Sequence, residues 1–511
     1  RCASRWSGDG ARRLLARGRA AHYERAATDR GGDGPVFGRL IDDMMRSYED
    51  ARDGVYESLF EPTLRLGVTG LSRAGKTVFI TSTVANLLER GRLGGLSAQA
   101  DGRIDAVALR PQPDRGVPRF DYETHVGKLS RPEPVWPEST RAVAQLRLSI
   151  RHRSPGLFAG LAGPSTLHLD IVDYPGEWLL DLTLLDKDYA RWSEEVLAVS
   201  RTPLRRRFAE DWLGMLDGLD PDGAMDESEA RALTEAYTRS LVLAKRDGLS
   251  RLTPGRFLMP GELEGSPALT FTPLPPGRGR RGSMRAEFER RFEAYKATVV
   301  KPFFRDHFAR IERQVVLVDL LTALDRGPGA LADLKAAMVE ILRSFRPGQN
   351  TWLGSLLGGA KVDRVLFAAA KADHVHHTQH KRMTDILEAL MRESVERAAF
   401  RGAKTDALAI AGVRATTEQE VRRNGETFPC VRGRLLQSGK EAALFPGDLP
   451  DNPKQVLSEA REDAEADEGW LDGDLGVMHF APPRPGGRAG EGPPHIRLDR
   501  ALEFLIGDHL A

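Results

Sequence analysis

Residues 65–77 read R-L-G-V-T-G-L-S-R-A-G-K-T and set Gly70, Gly75, Lys76 and Thr77 at the spacing G-x-x-x-x-G-K-[ST]. Leu64 to Thr69 reads as a buried strand. Lys76 to Arg90 carries apolar residues at helical spacing (Val78, Phe79, Val84, Leu87, Leu88). A glycine-rich turn between strand and helix lets backbone N–H groups face inward without a Cβ clash. It also delivers an anion to a helix N-terminus, where the peptide dipoles favour negative charge. The stretch therefore predicts a phosphate cradle made by Gly70, Ser72, Arg73, Ala74, Gly75, Lys76, Thr77 and Val78. Lys76 is expected to reach β- and γ-phosphate oxygens, and the Thr77 hydroxyl to ligate Mg²⁺. A chance match in a Gly-rich chain seldom falls between a strand and a helix.

The second half of a magnesium site is expected at the tip of another strand. Leu167 to Asp173 (L-H-L-D-I-V-D) is apolar and ends in Asp173-Tyr174-Pro175-Gly176. Asp173 is expected to hold a metal-bound water, and the Gly176 N–H to face a γ-phosphate. Upstream, Val143 to His152 alternates apolar and polar residues as a half-exposed strand. W-P-E-S-T precedes it, and Thr140 is the expected second Mg²⁺ ligand. The stretch Gly91 to Pro137 reads as loop-rich because of its prolines.

Glu177 to Leu317 reads as largely helical, with amphipathic stretches at Leu179 to Leu197, Pro203 to Leu219, Ser228 to Lys245 and Arg285 to Arg313. That is far longer than a crossover between strands requires, so a helical insertion domain is expected. Gln314 to Asp319 and Val362 to Ala369 follow as buried strands, with a helix over Gly329 to Phe345 between them. Thr378 to Ala399 reads as a helix and Asp406 to Ala411 as a short strand. Strands alternating with helices imply a mainly parallel sheet with the site at its C-terminal edge. Glu418 to Asp474 reads as a small β-rich appendage, and Ile496 to Leu510 as a closing amphipathic helix.

Base choice is expected to rest on Ala370-Lys371-Ala372-Asp373 at the end of a strand. Asp373 can accept two hydrogen bonds from guanine N1 and N2, and the Lys371 stem can cover the base. Adenine would leave that carboxylate unpaired, which discriminates by on the order of 10⁴-fold. His374 follows directly, and Ala411-Gly412-Val413 is the expected backbone-donating turn on the far side of the base. For hydrolysis, Glu177 stands where it could orient water, although phosphate repels it, and Arg73 could serve as an internal arginine. These features predict slow hydrolysis. His376 and His380 are i, i+4 apart, but with no third ligand in view the cluster His374, His376, His377 and His380 reads as solvent-facing.

The bulk composition narrows the alternatives. In 511 residues Lys and Arg number 74 against 73 Asp and Glu, a net of +1, so no global field recruits nucleic acid or a membrane surface. Cys2 and Cys430 are the only cysteines, which excludes a disulfide framework and suits a reducing, cytoplasmic setting. No apolar run reaches the roughly 18 residues that span a bilayer. Arg1 to Gly34 is an Arg-rich extension expected to be flexible, and Pro35 to Phe60 has helical periodicity.

Taken together, G-L-S-R-A-G-K-T-V-F-I-T, W-P-E-S-T with L-R-L-S-I-R, D-Y-P-G-E-W-L-L-D-L and A-K-A-D-H-V resemble the YcjX family of bacterial P-loop proteins, from about Pro35 to the C-terminus. The resemblance implies an α/β fold: a Ras-like P-loop NTPase domain with a mainly parallel sheet, a large α-helical insertion and a small C-terminal appendage. The expected division is 1–34 extension, 35–177 first nucleotide-binding part, 178–312 helical insertion, 313–417 second nucleotide-binding part and 418–511 appendage with closing helix. It further implies GTP/GDP binding, a link to bacterial envelope or heat stress, and a membrane-embedded protein partner that would bring the chain to the inner membrane. Ala370 departs from the general GTPase pattern, in which Asn or Thr ties this loop to the P-loop. A P-loop ATPase or small-molecule kinase, and an interaction protein with structural nucleotide, are the competing expectations.

Overall fold

The computed structural model describes residues 61–71, 74–138, 142–155, 163–344, 362–397, 403–461, 470, 475–486, 488 and 490–511. The extension expected over residues 1–34 and the helix expected over Pro35 to Phe60 lie outside the described residues.

Seven strands form one sheet: β1 (Thr63–Gly70), β2 (Ile104–Arg110), β3 (Ala144–His152), β4 (Ser165–Asp173), β5 (Arg313–Val318), β6 (Arg364–Ala369) and β7 (Lys404–Ala409). Their order is β2-β3-β4-β1-β5-β6-β7. β4, β1, β5, β6 and β7 are parallel neighbours, while β3 runs antiparallel to both β2 and β4. This is the mainly parallel sheet expected, with β1 at its centre.

The central strands are apolar on both faces, as a doubly covered sheet requires. Leu66 and Val68 of β1, Leu169 and Ile171 of β4, Val315 and Leu317 of β5, and Leu366 and Ala368 of β6 share one cluster with α1 (Lys76–Glu89). The alternate residues Val316, Val318, Val365 and Phe367 belong to the cluster on the opposite face. Period-two alternation thus sorts each strand between two cores.

Three elements arise inside the stretch that the prolines mark as loop-rich, the first a single helical turn at Ser97–Ala100. β2 is an edge strand with one side exposed, and α2 (Tyr122–Leu129) is capped by the Asp121 carboxylate accepting the Thr124 N–H. Edge strands need only one apolar face, so their sequence signal is thin.

Between β4 and β5 the chain is helical: α3 (Glu177–Asp181), α4 (Tyr189–Ser200), α5 (Pro203–Asp217), α6 (Glu227–Arg246) and α7 (Met284–Tyr295), with shorter turns between them. The helix expected over Leu179 to Leu197 is divided by a 3₁₀ turn at Leu182–Asp186. The one expected from Arg285 to Arg313 widens into a π-turn at Lys296–Val300 and resumes at Lys301–Asp306. Pro302 lies just past the widened turn and has no N–H to continue the i→i−4 ladder. Trp192, Trp212, Tyr237, Phe257, Phe271, Phe292 and Tyr295 fill the helical core, which is continuous with the second face of the sheet.

After β5 come α8 (Pro328–Ser344) and, beyond β6, α9 (His380–Arg397). The β-rich appendage is a three-stranded antiparallel sheet of β8 (Thr417–Arg423), β9 (Glu426–Arg434) and β10 (Glu441–Leu444). Asn424 and Gly425, both at positive φ, turn β8 into β9, the backbone that a two-residue hairpin favours. The closing helix α10 (Leu498–Ile506) packs onto the large sheet: Leu498, Leu502 and Leu505 are fully buried in the β1 cluster, and Arg313 donates to the Leu505 carbonyl.

Candidate nucleotide-binding site

β1 ends at Gly70 and α1 starts at Lys76, so the glycine-rich stretch is the turn between them. Gly75 caps α1 at φ 75°, a left-handed conformation in which other residues are strained. The turn is pinned to the sheet by the Leu71 N–H donating to Leu317 O of β5 (3.0 Å), and its end is closed by Ala74 N–H to Leu71 O (3.1 Å). Thr77 is buried in the first turn of α1. Ser72, Arg73 and Thr140 lie outside the described residues.

β4 lies beside β1 in parallel, with Val68 level with Asp173, so both strand tips open on one side. The Lys76 ammonium forms an ion pair with the Asp173 carboxylate, which is 1% exposed. Gly176 sits directly on the start of the turn: a Cβ there would meet Gly70 O at 2.3 Å and Thr69 Oγ1 at 3.1 Å. Thr69 Oγ1 is buried without a hydrogen-bond partner. An ammonium, a threonine hydroxyl, a carboxylate and an unpaired buried hydroxyl at one helix N-terminus fit a magnesium-bound phosphate chain, whose donors are all hard oxygens.

The segment after Asp173 is held by the helices that follow it. Tyr174 is fully buried, donates to Gln314 Oε1 (2.5 Å) and meets Phe303 and Phe308 edge-on. Trp178 lies under the Arg256 guanidinium, 3.2 Å from ring centroid to Cζ. Glu177 is buried and paired with Lys245 of α6 at 2.6 Å, so its carboxylate is engaged by the helical region. A Cβ on Gly255 would sit 2.4 Å from the Glu177 carbonyl. Asp181 accepts the Tyr295 hydroxyl (2.6 Å) and the Gly255 N–H (2.7 Å). Burial pushes the Asp181 carboxyl up to about 6 despite those two donors.

On the other side of β1, the tips of β6 and β7 bring the base-reading candidates together. Lys371 takes φ 62° and its ammonium reaches Asp319 Oδ2 (2.5 Å) at the end of β5. Asp373 is buried; Oδ2 accepts the Ala415 N–H (2.8 Å), Oδ1 faces His374 Nδ1 (3.3 Å), and its carbonyl accepts the Thr416 hydroxyl. Burial acts to raise the Asp373 carboxyl, but His374 and the Ala415 N–H hold it below the usual carboxylate range. These two contacts use half of the carboxylate's roughly four lone-pair directions. His374 is covered edge-on by Phe480, 5.2 Å between centroids. Gly412 approaches α1 so closely that a Cβ would lie 3.1 Å from Phe79 Cα, and Val413 beside it is buried.

The histidine cluster is not solvent-facing as expected: His374, His376 and His380 are buried and only His377 is exposed. Each buried ring has a polar partner, His380 Nε2 meeting Ala372 O at 2.7 Å. His374 and His380 bond to Asp373 and Ala372 in the loop and His376 to Thr378, contacts that sequence spacing alone does not reveal. The sequence likewise does not mark Lys245, Gln314, Asp319 or the Ala415–Thr416 brace, because each acts across a long separation. Among the described residues no helix is long and apolar enough to cross a membrane.

The sequence profile of the YcjX-like family, DUF463, matches residues 64–510. The chain is 40% identical over 462 residues to the Ras-like GTPase YcjX of Escherichia coli (strain K12), covering 88% of this chain and 96% of that protein. It is 36% identical over 478 residues to the Ras-like GTPase YcjX of Shewanella oneidensis (strain MR-1), covering 88% and 94%.

Proposed function

Because the chain belongs to the YcjX-like family, we propose that it binds GTP and GDP and works as a nucleotide-dependent switch with slow, magnesium-dependent GTP hydrolysis. The observation that carries the reading is the pairing of Lys76 at the start of α1 with Asp173 at the tip of β4, with Gly176 packed against the end of β1. Relatives at 40% and 36% identity bear the name Ras-like GTPase, which supports it.

In this reading the backbone from Gly70 to Thr77 cradles the phosphates, Lys76 leaves Asp173 for the β- and γ-oxygens, and Thr77 and Asp173 are left to hold the ion, with Thr140 as second ligand. Bound magnesium would neutralise charge on the phosphate oxygens. The Gly176 N–H senses the γ-phosphate. Lys371, Asp373, His374, Gly412 and Val413 form the guanine side. Lys245 keeps Glu177 away from the water, which keeps hydrolysis slow; Arg73 is the candidate for transition-state charge. Residues 178–312 read the nucleotide state through α3, 35–177 and 313–417 hold the nucleotide, and 418–511 completes the base side. The setting proposed is the bacterial stress or envelope response, with a membrane-embedded partner that binds one nucleotide state.

One observation favours a second reading. Asp373 is already braced by Ala415 and His374, which suits a keystone of the loop as well as a base reader. In that case the site is an ATPase or kinase P-loop.

Titration with fluorescent GDP and ATP, with and without Mg²⁺, decides between them. The switch reading expects GDP to bind far more tightly than ATP, Lys76→Ala to abolish binding, and Asp373→Asn to move preference from guanine towards xanthine nucleotides, whose C2 carbonyl accepts an amide N–H. Equal affinity for ATP, unchanged by Asp373→Asn, would overturn it.

A further inference from the structure

Three side chains outside the phosphate site converge where the Asp373 loop meets the small sheet. His376 and His377 come from the loop before α9, and Glu418 is the second residue of β8. One nitrogen from each imidazole and one Glu418 oxygen lie within 4.8 Å of one another. His377 Nδ1 is 2.7 Å from Glu418 Oε2, and His376 Nε2 is 4.0 Å from the same oxygen. The two rings stand 4.3 Å apart between centroids. We infer that His376, His377 and Glu418 form a binding site for a divalent transition-metal ion of the zinc class.

The chemistry of the donor set supports zinc over magnesium or calcium, which take oxygen ligands. Two imidazoles and a carboxylate with a fourth position left to water match the three-ligand zinc pattern. Ligand-to-ligand spacing around tetrahedral zinc is about 3.4 Å for bonds of ~2.1 Å. The exposed His377 and the partly exposed Glu418 need to shift by about an ångström to reach it.

Supporting contacts hold the ligands in the required orientation. His376 Nδ1 is held between the Thr378 hydroxyl (3.0 Å) and the Thr378 N–H, which donates to it at 3.5 Å, so the ring is fixed with Nε2 towards Glu418; binding a metal through Nε2 requires the Nδ1–H tautomer, with the Thr378 hydroxyl accepting. Arg414 Nη2 binds the other carboxylate oxygen, Oε1, at 3.2 Å, and its Nε donates to Thr416 O. Oε2 is thereby turned towards both rings. His377 is within hydrogen-bond distance of that oxygen, and His376 Nε2 faces it from 4.0 Å, leaving a gap between the two nitrogens and the carboxylate.

The site joins the segments that already brace Asp373. The loop Asp373–His377 and the strand entry Ala415–Glu418 are tied by Ala415 N–H and the Thr416 hydroxyl on one side and by Glu418 on the other. A bound ion would lock both and slow release of a nucleotide held there; this second step rests on the GTP/GDP reading, whereas metal binding does not.

The test uses the full nucleotide-free chain, ZnCl₂ and a chromophoric zinc chelator as competitor. The wild type is expected to take up one equivalent that His377→Ala and Glu418→Gln each weaken at least tenfold, with His125→Ala unchanged. No competition with the chelator, or uptake that neither variant weakens, overturns the site. With zinc binding established, release of fluorescent GDP is expected to slow severalfold in the wild type but not in His377→Ala. Unchanged release overturns the coupling to the nucleotide and leaves the metal site standing.

Discussion

The ammonium of Lys76, the first residue of α1, is paired with the carboxylate of Asp173 at the tip of β4, 97 positions away in the chain. Both side chains are largely buried, so removing one takes an opposite charge away from the other in a poorly solvated place. Breaking such a pair from one side costs roughly 3–5 kcal/mol.

Lys76→Ala is therefore expected to lower the thermal midpoint of the nucleotide-free protein as well as abolish nucleotide binding. Lys76→Ala combined with Asp173→Asn should recover a large part of the midpoint but none of the binding. A full double-mutant cycle by thermal unfolding measures this coupling. Independent, additive losses would contradict it.

Gly176 and Gly412 predict graded effects. A methyl at Gly176 would overlap the Gly70 carbonyl, which is backbone and cannot give way, so Gly176→Ala is expected to separate the tip of β4 from the phosphate turn. A methyl at Gly412 meets Phe79 Cα at 3.1 Å, which a shift of a few tenths of an ångström relieves. Nucleotide affinity should fall at least tenfold more in Gly176→Ala than in Gly412→Ala, as equilibrium titration would report.

Asp181 predicts a pH dependence. Burial raises its carboxyl in the folded protein to about 6, above its ordinary 3.8, so between those values the folded state holds a proton that the unfolded chain releases. Its contribution therefore weakens as pH rises through that window, by roughly 3 kcal/mol in full. Asp181→Asn keeps an oxygen acceptor for the Gly255 N–H, turns its amide N–H to donate to the Tyr295 hydroxyl and carries no charge. The variant's midpoint is expected to gain on the wild type from pH 4.5 to 7; a constant difference across that range would count against the assignment.

Lys245 and Glu177 predict a change in hydrolysis. With Lys245→Ala the Glu177 carboxylate loses its partner on α6 and becomes available to the water. Single-turnover GTP hydrolysis is expected to rise severalfold in Lys245→Ala and to return to the wild-type rate when Glu177→Ala is added, which removes the water-orienting group altogether. A rate unaffected by Lys245→Ala would remove Glu177 from the account of slow hydrolysis.

The sequence by itself determined the glycine-rich turn at Gly70 to Thr77, the strand ending at Asp173 and the alternation of strands and helices, because each is a local pattern of period two, period 3.6 or fixed spacing. It also marked the β-rich appendage. It missed β2 and α2, whose signals are masked by prolines and single-faced burial. Only the tertiary structure decided what Glu177, Asp319, Lys371 and the histidines touch. Their partners Lys245, Asp319 for Lys371, and Ala415 and Glu418 for the histidine loop lie tens of residues away. Such pairings depend on how the helical region and the small sheet fold back over the large sheet, and no local rule of composition or spacing encodes that approach.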